Sequence, residues 1–207
     1  MDSRISPSSC ETRRANHPRV RLFLAINFPS GLRHAVVEAT TPLREVAPAL
    51  SWIGEANLHL TVKFLGEQPP EAASQVSAAL RDVAVRHRAV AVELGGVGAF
   101  PNFRRPRVVW LGVSPDPKLE LLHHDVEAAA AELGFEIDVR PFRPHLTLAR
   151  VKPRAADVQT LRGLARAARQ IHFTEELFVE SIDLMQSDLS SAGARYRVLA
   201  SAPLGHA

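Results

Sequence analysis

The chain has 207 residues, 46% of them hydrophobic, which is enough apolar material for one long domain or two small lobes. Its 25 Lys and Arg only slightly outnumber 22 Asp and Glu, so the net charge of +3 permits an anionic partner without requiring one. The single cysteine, Cys10, excludes an internal disulfide, and no apolar stretch approaches the roughly 18 residues needed to cross a bilayer. We therefore expect a cytoplasmic protein that does not contact a membrane.

The first 18 residues differ from the rest of the chain. They are rich in Ser and Arg and show no clear amphipathic pattern, so we interpret residues 1–18 as a disordered N-terminal extension and expect the folded domain over residues 19–207. Order is predicted to begin with the run from Val20 to Phe28, which is typical of a central strand buried on both faces. After this run, helical spacing of apolar residues predicts one helix that continues to Pro48.

The remaining elements are predicted from periodicity and from Gly and Pro positions. Extended structure is expected at 52–65, 90–94, 107–113, 176–185 and 195–201, and helices at 71–88, 118–133 and 155–170, with a loop over 95–106. Several strands are joined by connections short enough for antiparallel pairing. We predict an α+β fold of two pseudo-symmetric lobes, with largely antiparallel sheets and outer helices around a central cleft.

One short phrase occurs twice, as HLTV at residues 59–62 and as HLTL at residues 145–148. Successive side chains on a strand point to opposite faces, so the His and Thr of each copy share one face while the aliphatic residues take the other. A single His-x-Thr is more often structural than catalytic. The repeat of both the polar pair and the burial pattern favours a joint site with two histidines and two threonines.

This residue set suits phosphoryl transfer. Displacement at phosphorus proceeds roughly in line, with a base on one side of the phosphoryl group and an acid on the other. Imidazole can serve as either, because its unperturbed pKa of about 6.5 allows one ring to be neutral and the other protonated near neutral pH. The Thr hydroxyls can donate hydrogen bonds to the non-bridging oxygens. The arrangement requires no metal and no other cofactor.

Longer segments around the two motifs carry a family resemblance. Residues 57–66, NLHLTVKFLG, and residues 142–150, FRPHLTLAR, are similar to the two signatures of the 2H phosphoesterase superfamily. Within it the chain most resembles the RNA 2′,3′-cyclic phosphodiesterases of the 2′-5′ RNA ligase family. Further matching segments, which extend the resemblance over residues 19–203, are RLFLAI at 21–26, VGAF at 97–100, VVW at 108–110 and the region 181–196.

The resemblance implies a bilobal α+β fold and hydrolysis of a terminal ribose 2′,3′-cyclic phosphate to a 2′-phosphomonoester. His59 would be the general acid that protonates the departing 3′-oxygen, and His145 the general base that activates water. Thr61 and Thr147 would bind the phosphate oxygens. Only the family assigns the acid and the base, because the two strands are chemically alike. The expected partners are RNA ends or nucleotides with a 2′,3′-cyclic phosphate, and we expect a monomer.

Three further residues are candidates for substrate binding. By resemblance, Phe64 occupies the position of an aromatic that stacks on the terminal base, and Arg150 that of a basic residue near the phosphate. Strict alternation places both on the face opposite the histidines, so they reach the site only if each strand twists or ends before them. The alternative for Phe64 is a core aromatic. Lys63 shares the parity of His59 and is predicted to face the cleft as another phosphate contact.

Other residue clusters receive a structural interpretation. His123 and His124 diverge by about 100 degrees on a helix, so they cannot face one metal together and are interpreted as solvated positions. The glycine run at 95–98 fits a turn better than a phosphate-binding loop. The chain contains no His-Glu-x-x-His, Gly-x-x-x-x-Gly-Lys or Gly-x-Ser-x-Gly motif, so zinc peptidase, P-loop and serine hydrolase functions lack their residues.

Three functions stay open. The first is a metal-independent cyclic phosphodiesterase acting on RNA ends. The second is a 2′-5′ RNA ligase that runs the reverse reaction in the same site. The third is a module that binds RNA ends without turnover, against which the intact His and Thr of both motifs argue.

Overall fold

The computed structural model describes residues 19–190 and 193–205, and the predicted extension over residues 1–18 lies outside them. The strands are β1 (Val20–Asn27), β2 (Ser51–Trp52), β3 (His59–Gln68), β4 (Val90–Phe100), β5 (Val108–Val113), β6 (His145–Arg150), β7 (Thr174–Val179), β8 (Ser181–Ser190) and β9 (Gly193–Pro203). The helices are α1 (Ser30–Ala39), α2 (Thr41–Val46), α3 (Ala72–Ala84), α4 (Pro117–Glu132) and α5 (Val158–Gln170), with a short 3-10 turn at Glu55–Asn57.

Within the described residues, the strands form one sheet of nine strands. Its order is β7-β4-β5-β6-β3-β1-β8-β9, with β2 beside β6, and neighbouring strands run antiparallel. The predicted α+β class with antiparallel pairing is confirmed. At the centre, Leu60 of β3 pairs with Leu146 of β6 and joins the four strands β7-β4-β5-β6 to the four strands β3-β1-β8-β9, with the short β2 as the ninth strand beside β6. The two expected lobes are therefore halves of a single sheet, related by an approximate two-fold axis at this pair.

The side chains of β1 pack into two different hydrophobic clusters, one on each face of the sheet. Leu22 and Ile26 point to the face that the helices cover, where they join a core that includes Val36 of α1, Val76 of α3 and Leu164 of α5. On the opposite face, Phe23 and Ala25 form a small cluster with Met185 and Tyr196. The predicted central strand is confirmed, and the second face is the one that carries the two motifs.

The first predicted helix is wrong as a single element, because the chain breaks it at Thr40. α1 ends at Ala39 and α2 begins at Thr41, with Pro42 in the first turn of α2. Proline has no backbone N–H to donate to the preceding turn, and it disfavours the helical conformation of the residue before it. The Val36 carbonyl keeps the backbone N–H of Thr40 as a donor at 3.0 Å and also accepts the Thr40 hydroxyl at 2.7 Å. At the break, the Thr41 hydroxyl donates to the Val37 carbonyl at 3.0 Å.

The predicted loop over residues 95–106 is shorter than expected, because β4 continues through the glycines to Phe100. A Cβ atom at Gly98 would overlap the indole of Trp110, which lies across from it on β5. Gly96 has φ +69° at an irregularity in the β4–β5 pairing, which explains a glycine there. These glycines therefore accommodate a cross-strand tryptophan and a bulge, and the turn interpretation is wrong.

The strand predicted at 176–185 is two strands. β7 ends at Val179 and pairs with β4, whereas β8 begins at Ser181 and pairs with β1 in the other half of the sheet. Only Glu180 separates the two strands, so the chain passes over a single residue from the edge strand of one half of the sheet to a strand of the other half. No helix in the described part of the chain has the length and apolar composition needed to cross a membrane.

Candidate active site

The two motifs meet at the centre of the sheet. Leu60 and Leu146 pair antiparallel and are fully buried on the helix-covered face. Alternation then turns His59, Thr61, His145 and Thr147 to the other face, where each is half-buried. Because the strands run in opposite directions, each histidine lies toward the threonine of the other motif. The structure brings the four residues to one surface, as the sequence predicts.

Both imidazoles are held in the same orientation. Nδ1 of His59 lies 2.7 Å from the carbonyl oxygen of Asn57, and Nδ1 of His145 lies 2.6 Å from that of Arg143. A carbonyl only accepts, so in each ring Nδ1 carries the hydrogen and donates it. Nε2 is then the nitrogen left for proton transfer in both rings. In the first motif, Nε2 of His59 lies 3.1 Å from the Thr61 hydroxyl, so the two groups share a hydrogen bond.

Aromatic side chains pack against each histidine. Phe23 and Tyr196 each lie 5.1 Å from the His59 ring, centroid to centroid. Phe100 and Trp110 lie 5.0 and 6.3 Å from the His145 ring. These contacts fix the rings and remove water from them. Motif-based reasoning did not select any of these four aromatics as site residues, because they come from strands whose position beside the motifs depends on the sheet order.

Burial lowers the pKa of both His59 and His145 below the usual histidine value. The positive charge of Arg150 lowers both pKa values further, whereas the hydrogen bonds from Nδ1 to the backbone carbonyls partly raise them. Both rings are therefore predominantly neutral at pH 7 in the free protein. A bound phosphate would oppose this effect, since an anion stabilises the imidazolium form.

A β-bulge interrupts the alternation of β3 directly after the first motif. In the pairing with β1, Ala25 lies opposite Thr61 and Leu24 opposite Lys63, so Val62 is an extra residue. The bulge reverses the parity of the residues that follow. Phe64 is 68% exposed, and its ring lies 6.2 Å from that of Phe23, which also touches His59. Phe64 is therefore on the face of the histidines and is not a core aromatic.

The same bulge makes the placement predicted for Lys63 wrong. Its side chain is buried on the helix-covered face, where Nζ lies 2.6 Å from Oε2 of Glu127 and 2.8 Å from the carbonyl oxygen of Glu136. The ammonium is paired inside the protein, away from the cleft. Lys63 is thus a structural cation and does not line the surface where phosphate would bind.

A second bulge occupies the equivalent position of β6. Opposite β5, Trp110 pairs with Thr147 and Val109 with Ala149, which leaves Leu148 as the extra residue. Arg150 is consequently exposed on the face of the histidines, consistent with its influence on the pKa of both rings. The expectation from strict alternation is wrong for Arg150 in the same way as for Phe64, because both side chains lie on the face of the histidines.

The histidine pair on α4 differs from the expected solvated positions. His124 is exposed, but His123 is largely buried and stacks on Phe142 with ring centroids 3.9 Å apart. His123 also lies 3.8 Å from Glu127. Across residues 19–190 and 193–205, no three His, Cys, Asp or Glu side chains lie together as a metal site would need.

Two antiparallel His-x-Thr strands that present both imidazoles on one sheet face define a 2H-type site. The chain matches the family model of the 2′-5′ RNA ligase superfamily over residues 31–189. It therefore belongs to the 2′-5′ RNA ligase superfamily, which is a family of enzymes.

Two relatives with similar sequences agree with this membership. The RNA 2′,3′-cyclic phosphodiesterase of Aeropyrum pernix is 32% identical over 171 residues, which cover 81% of this chain and 90% of that protein. The enzyme of the same name from Geobacillus stearothermophilus is 33% identical over 152 residues, 72% of this chain and 48% of that protein. The chain thus spans about half the length of the Geobacillus relative.

The fold is shared with E. coli LigT. The crystal structure of LigT complexed with 3′-AMP superposes with a TM-score of 0.73 and 28% identity, over 90% of this chain and 99% of LigT. Other structures of LigT contain ATP or NADP+. LigT is therefore a nucleotide-binding relative with the same sheet.

Proposed function

We propose that this protein hydrolyses RNA 2′,3′-cyclic phosphate termini to 2′-phosphomonoesters without a metal, by acid–base catalysis between two histidines. The observation that carries the proposal is the matched pair of imidazoles. Both rings donate a hydrogen bond from Nδ1 to a backbone carbonyl, which leaves Nε2 of each ring for proton transfer. Each histidine lies on the same strand face as the threonine of its motif. The names of the relatives from Aeropyrum and Geobacillus support the same substrate.

The residues take the following roles. Nε2 of His145 accepts a proton from the attacking water, and Nε2 of His59 donates one to the departing 3′-oxygen, so the P–O3′ bond breaks as the new P–O bond forms. The hydroxyls of Thr61 and Thr147 donate to the non-bridging oxygens, whose negative charge Arg150 also stabilises. Each correctly placed acid or base contributes on the order of 10²- to 10⁴-fold to the rate.

Substrate binding also sets the protonation states. The free site disfavours imidazolium, because burial and Arg150 lower both pKa values. The cyclic phosphate brings a negative charge between the rings and favours uptake of one proton. The reactive state with one neutral and one protonated histidine is therefore formed chiefly in the complex.

Phe64 supplies the recognition of the terminal nucleoside. Its ring is exposed beside Phe23 on the cleft face, and a ring in this position can stack on a base of any identity. We expect the protein to act as a monomer, which sedimentation velocity can check.

The test is hydrolysis of an oligonucleotide that ends in a 2′,3′-cyclic phosphate, in the presence of EDTA. Wild type should yield a 2′-phosphate end, and His59→Ala and His145→Ala should each lower kcat by about 10²- to 10⁴-fold. His124→Ala is the matched control, since this ring is exposed on α4, and it should keep full activity. Full activity in either motif variant, or complete inhibition by EDTA, would refute the mechanism. Binding of the oligonucleotide without any turnover would instead favour an RNA-end binding module.

A further inference from the structure

A concentration of positive charge lies at one end of the sheet, beyond the second motif. All of its side chains are exposed. We call it the basic rim, and its members are Arg104, Arg105, Arg107, Arg150, Lys152 and Arg154. The net charge of the whole chain is only +3, so the rim carries more positive charge than the protein as a whole.

Strand pairing brings the rim together from two separate segments of the chain. Val108 of β5 lies opposite Arg150 of β6, so the loop that leads into β5 lies beside the segment that follows β6. The backbone N–H of Val151 donates to the carbonyl oxygen of Arg107 at 2.9 Å and joins the two segments. The six cations therefore form one surface, although the two segments are more than 40 positions apart in the sequence.

The backbone of both segments holds rim residues in defined positions. Oδ1 of Asn102 accepts hydrogen bonds from the backbone N–H groups of Arg104 and Arg105, at 2.9 and 3.2 Å. Arg154 has φ +66°, in the left-handed region that a residue with a Cβ atom rarely adopts. The backbone here favours glycine over arginine, so a function of the exposed side chain explains the residue better than its fit to the turn.

The protein itself does not neutralise the rim. Residues 101–107 and 150–156 contain no Asp or Glu. Within residues 19–190 and 193–205, none of the six side chains forms an ion pair. Neighbouring cations without counter-charges create a positive potential that attracts anions. A chain of phosphates can contact several of these cations at once.

The rim continues the catalytic face, and this continuity identifies the anion. Arg150 belongs to the rim, and its positive charge also lowers the pKa of both His59 and His145. An acidic protein segment would also suit the rim by charge, but only RNA is covalently attached to the reacting phosphate. We propose that the basic rim binds backbone phosphates of the RNA upstream of its cyclic end, so that the protein selects polynucleotides over cyclic mononucleotides. This inference rests on the proposed function and adds selection by chain length to it.

Spacing along β6 explains why chain length matters. Arg150 lies about 10 Å beyond Thr147 along the strand, and Lys152 and Arg154 follow it in the chain. A cyclic mononucleotide has one phosphate, which the motif residues bind, and it leaves most of the rim without an anion. A longer RNA supplies further phosphates to the same surface.

The experiment compares two substrates with the same reacting group. kcat/KM is measured for 2′,3′-cyclic adenosine monophosphate and for a decanucleotide that ends in the same cyclic nucleotide. Both substrates use the same histidines and the same terminal base, so the ratio of decanucleotide to mononucleotide isolates the upstream contacts. The ratio should exceed one at low salt and fall about twentyfold between about 50 and 200 mM salt, as expected if about three phosphates each release about 0.7 counterion.

Neutral substitutions in the rim should lower this ratio. Arg104→Gln combined with Arg105→Gln should lower it about fivefold at low salt and reduce its salt slope by about 0.7, the loss of one phosphate contact. kcat/KM for the cyclic mononucleotide should stay close to that of the wild type. Arg162→Gln combined with Arg166→Gln is the matched control, because it removes two exposed cations from α5 on the helix-covered side, and it should leave the ratio unchanged.

Arg154→Gly separates a binding role from a structural one. Glycine adopts the left-handed conformation readily, so the melting temperature of this variant should not fall. The ratio should nevertheless fall, because a rim cation is lost. A lower melting temperature with an unchanged ratio would show that Arg154 serves the fold, and it would contradict the role in binding.

The outcomes separate this inference from the function on which it rests. A ratio of one at every salt concentration, or an equal loss in the rim and α5 double variants, would overturn the phosphate-binding rim while hydrolysis stands. Stronger inhibition of decanucleotide hydrolysis by polyaspartate than by an RNA with a 3′-hydroxyl end would instead assign the rim to an acidic protein. Absence of hydrolysis of both substrates by the wild type would overturn the proposed function as well.

Discussion

Replacement of Lys63 should damage stability and spare substrate binding. The Lys63 ammonium is buried, with Glu127 2.6 Å away and the Glu136 carbonyl 2.8 Å away. Glu127 also accepts a hydrogen bond from the backbone N–H of Asp138 at 3.2 Å. The network ties β3, just after the first motif, to α4 and to the segment that leads into the second motif. Lys63→Met keeps much of the side-chain volume but leaves the Glu127 carboxylate buried without its cation.

The expected cost follows from this burial. Removing one partner of a buried ion pair destabilises a protein by about 3–5 kcal/mol, because the remaining charge stays buried without the counter-ion that offsets its desolvation. At about 2–4 °C per kcal/mol for a chain of this size, the melting temperature should fall by about 6–20 °C. The double variant Lys63→Met with Glu127→Leu removes both charges, so it should recover at least about 2 kcal/mol relative to the sum of the single variants.

Urea unfolding followed by circular dichroism gives the free energies, and a hydrolysis assay at 25 °C gives KM. Lys118→Met is the matched control, because Lys118 is exposed at the start of α4, and it should change stability by less than about 0.5 kcal/mol. KM of Lys63→Met should stay within about twofold of wild type, since the side chain lies on the helix-covered face. A loss of less than 1 kcal/mol, or additive single variants, would refute the argument. A large rise in KM of Lys63→Met with unchanged stability would instead support the contact between Lys63 and phosphate that strand parity predicts.

Three further predictions concern the site. The pKa of His59 in the free protein lies below its usual value, so kcat/KM, which depends on protonated His59 in the free protein, should already fall as pH rises through about 6.5. Bound phosphate raises this pKa, so kcat should persist to higher pH. Coincident pH profiles of kcat/KM and kcat would contradict this. Arg150→Met should raise the pKa of both motif histidines, measured by NMR without ligand, and should raise KM, while Arg166→Met on the exposed side of α5 should change neither. Phe64→Ala should raise KM more than it lowers kcat and should leave the melting temperature nearly unchanged, because the ring is 68% exposed. Phe178→Ala, which removes a similarly exposed ring from β7, serves as its control, and an equal effect on KM would contradict stacking by Phe64.

The sequence predicts the parts of this protein that depend on local pattern. The apolar run of β1 and the shared face of His and Thr in each motif follow from alternation, and Pro42 offers a local reason for the break between α1 and α2. The two bulges do not follow, because Val62 and Leu148 are ordinary apolar residues, and only the register against β1 and β5 shows that they are extra. Strict alternation therefore misplaced Lys63.

The boundary at Glu180 escaped prediction for a related reason. The apolar pattern continues from β7 into β8, and nothing in it reveals that the two strands belong to opposite halves of the sheet. The aromatics around the histidines depend on the same information. Phe23 and Tyr196 reach His59, and Trp110 reaches His145, only because β1, β9 and β5 occupy particular places in the strand order.

The two bulges determine the direction in which a substrate lies. The paired His-x-Thr motifs are related by a two-fold axis, so by themselves they present the same groups to an RNA end in either of two opposite orientations. The residue that each bulge returns to the cleft face differs, since β3 presents the aromatic ring of Phe64 and β6 the cation of Arg150. Under the proposed function, the polarity of the bound strand is therefore determined by Phe64 and Arg150, the residues that follow the two bulges, and not by the His-x-Thr motifs themselves. Exchanging Phe64 and Arg150, with both histidines left in place, would reverse that polarity.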